Sequence, residues 1–549
     1  MLSKNHLRTS LIACFLLVTG TFAFAQEKNK VTVTGSVQSD MLVPTEPINS
    51  GNGMINNDFL TNTYVDANLR SNHIDAGVRF EYMQQPMPGF EPNFKGWGVP
   101  YGYVKYHDKK LEATAGTFYE QFGSGFILRT YEERSLGIDN SLLGAKVVLK
   151  PIEGVQLKAL SGVQRTYWRW EKNLISGADL EIGLEQFIKR MKEHNTYLTL
   201  GASWVHKHEK EELIMVDATH KLNLPAGGNS MAFRARLKTG GLNILAEYSV
   251  KGQDPNYDNK YIYKQGNVAM LSASYSQKGL SALIQAKRSD NMTFRSQRKV
   301  HGTAAYLNHL PAFTYQHTYA LAALYPYATN PNGEWAYQAE FGYKFKKGTA
   351  LGGKYGTSFK VNFSHIRALD TTPVDGGGKG TDGYTSSFFG QGKETYYQDI
   401  NVQFDKKFTK VFKLNLMYMN QRYNKTVVEG EGGMINSHIF VAEGKFQFNK
   451  TLTLRAEAQY LTTKQDEGDW AFALLELSIA PRWMISVQDM YNVTATHKHY
   501  YQGSVTFSHK AHRVQLGFGQ TRAGYNCSGG VCRYIPAYKG VTLSYNFNF

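Results

Sequence analysis

Beyond its opening segment the chain has no apolar run of the roughly 18 residues that a membrane-crossing helix needs. Cysteine is scarce as well. Of three in 549 residues, only Cys527 and Cys532 lie past residue 25, and too few other ligands stand nearby for a zinc site. No G-x-S-x-G in a strand–turn–helix setting marks a nucleophile elbow. GEGG at Gly430–Gly433 lacks the Lys-Ser/Thr and the following helix of a phosphate-binding loop. A hydrolase working from a rim would set Ser or Asp beside His, but among 16 histidines chance pairs abound. The chain is therefore expected not to be an enzyme, with no catalytic residue, no metal and no cofactor. Lys and Arg outnumber Asp and Glu by 61 to 45, yet they are scattered and many fall in tight turns, so no nucleic-acid partner is expected. Such charges keep rims in water or meet anionic lipid head groups.

What is present begins with an export signal. Lys4 and Arg8 precede an apolar run from Leu11 to Val18, and Ala23-Phe24-Ala25 precedes Gln26. A charged start, a short apolar middle and an A-x-A end predict a secretory signal peptide over residues 1–25, cleaved after Ala25. Leu11-Ile12-Ala13-Cys14 is no lipoprotein box, because most of the apolar region follows the cysteine. Removing this segment takes the formal charge from +16 to +14. In an exported chain, Cys527 and Cys532, with Gly529-Gly530 between them, predict a disulfide closing a small loop.

From Val31 onward the apolar pattern has period two. Ile74, Ala76, Val78, Phe80 and Tyr82 alternate with Asp75, Arg79 and Glu81; Phe233, Ala235 and Leu237 alternate with Arg234, Arg236 and Lys238. Leu452, Leu454, Ala456, Ala458 and Tyr460 alternate with Thr453, Arg455, Glu457 and Gln459 in the same way. Successive strand side chains point to opposite faces, so nearly every strand has one greasy and one small or charged face. A soluble sandwich also supplies near-continuous apolar strands for its core, and few occur here. The composition, with 35 Tyr, 31 Phe, 52 Gly and only 15 Pro, suits a membrane barrel with aromatics at the lipid interfaces.

Connections alternate in length. Tight links at 107–110, 238–241, 276–279, 449–451 and 508–512 follow every second strand. Long segments lie between, roughly at 42–58, 84–98, 207–229, 289–332, 367–394 and 522–539. This is the rim asymmetry of an outer-membrane barrel, with short periplasmic turns and long extracellular loops. The count predicts a single all-β transmembrane antiparallel barrel of about 24 strands, within 20–26, over residues 26–549. An even number puts both termini on the short-turn side. The terminal VTLSYNFNF sets Val541, Leu543, Tyr545, Phe547 and Phe549 on one face, and Tyr545, Phe547 and Phe549 are expected to be read by barrel-assembly machinery. Only Gln26–Lys30 precede the first strand, so the plug domain of a TonB-dependent transporter is not expected. Glu181–His194 carries helical spacing or is a strand running into a turn.

Four groups of residues are candidates for chemistry. Glu120, Arg129, Glu132, Glu133, Arg134 and Asp139 crowd a stretch loosened by FGSGF; a loop folding back there places both charge signs across a pore, or braces the wall with salt bridges. Tyr315, Tyr319, Tyr325 and Tyr327 offer a stacking surface for sugars, or are ordinary loop aromatics. His206 and His208 beside Glu209 have metal-ligand spacing but read better as solvated rim residues, as do His497 and His499.

Three stretches carry a family likeness: GTFYEQFGSGFILRTYEERSLGIDNSLLGA from Gly116, HTYALAALYPYATNPNGEWAYQAE from His317, and RAGYNCSGGVCRYIPA from Arg522. Together they resemble an uncharacterised family of outer-membrane β-barrel proteins of Bacteroidota, porin-like and with no established function, across the whole mature chain. The resemblance implies location and architecture and leaves the cargo open. The expected function is a porin-like outer-membrane channel for passive passage of small or medium polar solutes, anionic or carbohydrate. The alternative is a loop-plugged barrel that serves as a scaffold or surface-binding partner of a lipoprotein or secretion complex. Expected partners are outer-membrane lipid, lipopolysaccharide and the barrel-assembly machinery.

Overall fold

The computed structural model describes residues 31–549 other than 52, 57, 58 and 211. The expected signal peptide, with Cys14, lies outside the described residues. One antiparallel sheet of 24 strands forms the molecule. Its first strand, Thr32–Pro44, pairs with Leu60–Arg70 on one side and with the last strand, Tyr538–Asn548, on the other, so the sheet closes into a barrel. Closure gives every strand two partners and leaves no edge with unpaired backbone groups, which is the condition for strands to lie in lipid. Among the described residues no helix is long and apolar enough to cross a membrane.

The two faces are inverted relative to a water-soluble protein. On Ile74–Met83, Val78 is 46% exposed whereas its neighbour Arg79 is 5% exposed and Glu81 is 2% exposed. The same holds around the wall: Phe233, Leu271, Ile284, Phe440, Leu475 and Leu516 look outward and are exposed. Such a belt is sustainable only where the surrounding medium is itself apolar. At the seam, the backbones of Gly35 and Phe549 exchange two hydrogen bonds of 2.9 Å. The Phe549 ring lies across Gly35, where a Cβ would sit 2.3 Å from it, so glycine is what admits the ring.

Tight turns gather at one rim, where Lys238–Leu242 and His509–His512 reverse the chain. Glu181–His194 also lies there: strand to Gly183, a 3-10 turn at Leu184–Gln186 and one helical turn at Lys189–Glu193. At the other rim the segment 367–394, expected to be a long loop, is mostly sheet. Thr357–Pro373 and Tyr384–Lys407 run on past the wall as a two-stranded ribbon. Its Ser/Thr/Gly-rich sequence hides this, because a ribbon needs paired backbone and no apolar alternation. Two further connections, 119–141 and 252–265, are long without having been counted among the long loops.

Three of these connections do not stay at the rim. Segments 119–141, 252–265 and 291–332 fold into the lumen, where Phe122, Phe126, Ile127, Met292, Phe294, Leu307, Leu321 and Tyr325 are buried against inward side chains such as Leu142, Ile175, Val205, Ile366, Met419, Ile439 and Trp470. Inward columns accordingly change from one end to the other. On Met434–Gln447, Ser437, Ile439 and Val441 are buried while Lys445 and Gln447, nearer the tight turn, are exposed; on Gly227–Thr239, Ser230 and Ala232 are buried while Arg236 and Lys238 are exposed. The lumen is packed at its loop end and is an open vestibule at its turn end.

Candidate functional site

An irregular segment buried inside a barrel must pair its backbone polar groups without a ladder. The wall supplies those partners. Lys207 Nζ donates to the carbonyl of Arg295 at 2.8 Å, Lys251 Nζ to that of Thr293 at 2.5 Å and Lys287 Nζ to that of Pro311 at 2.5 Å. Gln421 donates to the Tyr325 carbonyl at 3.0 Å, and Gln459 accepts from the Leu321 amide at 2.8 Å. The ammonium groups are themselves balanced: Lys207 by Asp254 at 2.7 Å and Glu209 at 3.1 Å, Lys287 by Glu334 at 2.9 Å, all fully buried. Asp254, in segment 252–265, is held below its usual range although burial opposes this, because Lys207 and Lys251 face it. The inner loops also bond one another, with Arg129 N–H to the Leu307 carbonyl at 2.7 Å and Asn308 to the Phe126 carbonyl at 3.0 Å.

A second network fixes segment 119–141. Arg79 meets Asp66 at 2.8 Å, Glu132 at 2.9 Å and Asp139 at 3.3 Å; Arg134 meets Glu132 at 2.6 Å and Asp66 at 3.0 Å; Arg165 meets Asp139 at 2.6 Å and Glu81 at 2.7 Å. Burial pushes the Glu132 carboxyl up, against the pull of Arg79 and Arg134. Of the six residues singled out in this stretch, the structure thus joins Glu132, Arg134 and Asp139. Glu120 stands apart with Lys146 at 3.2 Å and Lys158 at 2.9 Å, Glu133 accepts from Ser135 at 2.7 Å, and the Arg129 guanidinium lies 4.6 Å over the Tyr131 ring. Sequence reading missed Asp66 and Arg165, which sit on distant strands; the inward alternation of their strands is the signal that could have found them.

The other candidates fall as follows. Tyr325 and Tyr327 are buried, with hydroxyls on Asp466 at 2.9 Å and Glu334 at 2.5 Å, and Tyr319 packs against the same core. Tyr315 rests edge-on to His317, whose ring holds Asp399 at 2.8 Å. Burial takes the Tyr325 and Tyr327 rings out of reach of a sugar. His206 and His208 share the outward face, whereas Glu209 turns inward, so the three do not converge; among the described residues no group of three potential metal ligands occurs. His499 pairs with Asp489 at 2.6 Å, and His497 sits in a turn. Gly430 ends the short helix Lys425–Glu429 with φ +97°, so GEGG follows a helix instead of leading one.

Cys527 and Cys532 are bonded, across the hairpin Gly524–Ser528/Val531–Ile535. Its Gly529–Gly530 tip reaches the inner loop, where Thr329 N–H donates to the Gly530 carbonyl at 3.0 Å. Beside that tip, burial, with Arg129 and Lys287 near, holds the His309 imidazole down at about 3.

One sector of wall is different. On Trp483–Asn492, His499–His509, His512–Thr521 and Tyr538–Asn548 the inward side chains include Ser486, Gln488, Gln502, Ser504, Gln515, Thr542 and Ser544. Among the described residues of these four strands, Arg513 at the turn rim is the one inward charge.

A closed antiparallel wall with an outward apolar belt defines a large barrel of the outer-membrane kind. The chain belongs to the family described as "Family of unknown function (DUF6029)", whose model matches residues 5–549. No curated protein matches it. Among solved structures, it is similar to a chain of the E. coli P pilus tip assembly intermediate PapC-PapD-PapK-PapG, at 10% identity and TM-score 0.50, with 95% of this chain and 62% of that one covered. It is also similar to the ferric enterobactin receptor PfeA of Pseudomonas aeruginosa, at 9% identity and TM-score 0.43, with 95% and 82% covered. At such identities the likeness concerns the fold alone.

Proposed function

We propose that this chain is exported, inserted in the outer membrane by the barrel-assembly machinery through its Tyr545-Phe547-Phe549 end, and serves there as a restricted conduit for small polar solutes. It is no wide, permanently open porin. The observation that carries this reading is the gradient along the inward columns, from exposed Lys445 to buried Ile439 and from exposed Arg236 to buried Ala232. A vestibule open at the turn end, over a loop end filled by the chain's own segments, admits solute and restrains its exit. The outward belt meets lipid and the loop rim meets lipopolysaccharide. No catalytic step is assigned to it.

The same filled half supports a second reading, a closed barrel acting as scaffold or surface partner for a lipoprotein or secretion complex. Planar-bilayer recording separates the two. The wild type is expected to give small or intermittent currents, and replacing 291–332 by a short Gly-Ser link a large steady one. A large ohmic current from the wild type overturns the restricted conduit. Silence from both, with heat-modifiable migration retained, favours the scaffold.

A further inference from the structure

Along the neutral sector of wall lies a groove of about 250 Å³, smaller than a drug-sized pocket, lined wholly by strand residues. Its lining includes Ser486, Gln488, Gln502, Ser504, Gln515 and Tyr538. Resting on the conduit reading above, we propose that this groove is the solute-binding stretch of the lumen and that it takes a small uncharged polyhydroxylated solute of monosaccharide size.

The sector's register builds the groove. Gln488 stands opposite Gln502 and Ser486 opposite Ser504; Ser504 then faces Gly517, and Gly517 faces Thr542. Gly519 pairs with Gly540 one step nearer the loops. Three adjoining inward positions therefore carry no side chain, and the wall recedes there. A Cβ at Gly519 would strike the Tyr501 carbonyl at 2.4 Å and one at Gly540 the Val43 carbonyl at 2.4 Å, so backbone packing also keeps these two as glycine. At Gly517 the first obstacle is only the Thr542 hydroxyl, at 2.7 Å.

The lining sets the class of solute. Amides and hydroxyls both donate and accept, so they suit a solute whose surface alternates donors and acceptors. Gln488 Nε2 donates to Gln502 Oε1 at 3.1 Å and Gln515 Nε2 to Ser504 Oγ at 3.3 Å, a chain of neutral groups that can exchange its internal bonds for bonds to hydroxyls. An ion entering the groove would shed water with little unpaired charge to compensate: Glu476, the one ionised lining residue, lies within 3.9 Å of Arg455, and the nearby Arg513 guanidinium is already engaged, donating to Gln515 Oε1 at 3.0 Å. Tyr538 bounds the loop end of the groove, its ring packed on the apolar cluster of Leu42, Ile48 and Leu60. Gln502 is exposed to the lumen's water, so the groove is not sealed by its own lining.

The test is cysteine protection. Because Cys527 and Cys532 are bonded to each other, Ser504→Cys introduces the one free thiol of the mature chain. Labelling of this variant by a neutral maleimide is followed in detergent, with heat-modifiable migration as the check on folding. D-glucose is expected to slow labelling, by about three-fold at twice its dissociation constant from mass action, and potassium gluconate to leave it unchanged. Gln488→Cys serves as a second site if Ser504→Cys does not fold. Equal labelling with and without glucose, or equal protection by gluconate, overturns the proposal. Protection is read without any flux, so a chain that protects but does not conduct keeps the groove and loses the conduit, and one that conducts glucose without protection does the reverse.

Discussion

The wall facing the inner loops and the wall of the last four strands share the same outward grammar of exposed Val, Leu, Phe and Tyr, yet differ inside. Where the wall faces segments 252–265 and 291–332, it carries Lys207, Lys251, Lys287 and Glu334, fully buried and aimed at loop carbonyls or at one another. Where it faces water, it carries Ser, Gln, Thr and Gly. The comparison teaches that the chemistry of the lumen wall follows what stands opposite it. A long cation can bring its charge and a donor to a buried carbonyl, and it is tolerated there only with a carboxylate in reach.

The largest expected effect comes from unpairing a charge in the filled region. Glu334→Ala leaves Lys287 buried without its carboxylate and should cost about 3–5 kcal/mol, read as a lowered denaturant midpoint and faster proteolysis within 291–332. The double change Lys287→Met, Glu334→Leu should recover part of that loss, because both charges leave together while the Tyr327 hydroxyl, the Asn330 N–H and the Pro311 carbonyl still lose a partner; a double variant no more stable than Glu334→Ala would show that the unpaired ammonium is not the source of the loss. Opening the hairpin that rests on this loop is next. Cys527→Ser with Cys532→Ser frees a loop of sequence separation 5 and should cost about 2 kcal/mol on a loop-entropy estimate, seen as earlier proteolysis near Thr329.

Acid should loosen the filled region through His309. The unfolded imidazole takes a proton near 6.5 and the folded one only near 3, so between those values the unfolded state binds more protons. The contribution is complete above 6.5 and is lost as pH falls towards 3, at up to about 1.4 kcal/mol per pH unit. His309→Gln should flatten that slope in a thermal-melt series, and an unchanged slope would assign the acid sensitivity elsewhere. The smallest effect belongs to the neutral sector. Ser504→Ala or Gln488→Ala, beside water and away from the packed core, should move stability by less than about 0.5 kcal/mol. A loss as large as that of Glu334→Ala would erase the distinction between the two regions.

Much of the architecture was legible in the chain. Alternation at Ile74–Tyr82, Phe233–Lys238 and Leu452–Tyr460 gave strands and faces, and the tight links gave the rims, because both depend on neighbours in sequence. The Ser/Thr-rich ribbon after Arg367 carries no alternation and so looks like loop in the chain. The site was far less legible. Glu132, Arg134 and Asp139 stand out as a charge-dense stretch, but no local pattern shows that they fold back onto Asp66 and Arg79, which face each other in one hairpin, and onto Arg165 from a strand farther along the wall. The Tyr-Pro stretch reads as a surface loop, and burial of Tyr325 and Tyr327 depends on Gln421, Asp466 and Glu334 waiting opposite.

By itself the sequence determined that this is a barrel of about two dozen strands, because a period of two with one oily face is a local property that each strand writes for itself. Only the tertiary structure decided that the lumen is half filled and that one sector stays neutral and open. Whether a connection runs outside or folds within depends on carbonyl partners and apolar surface supplied by other strands, 138 residues away for the Leu321 amide, and no local pattern encodes that pairing.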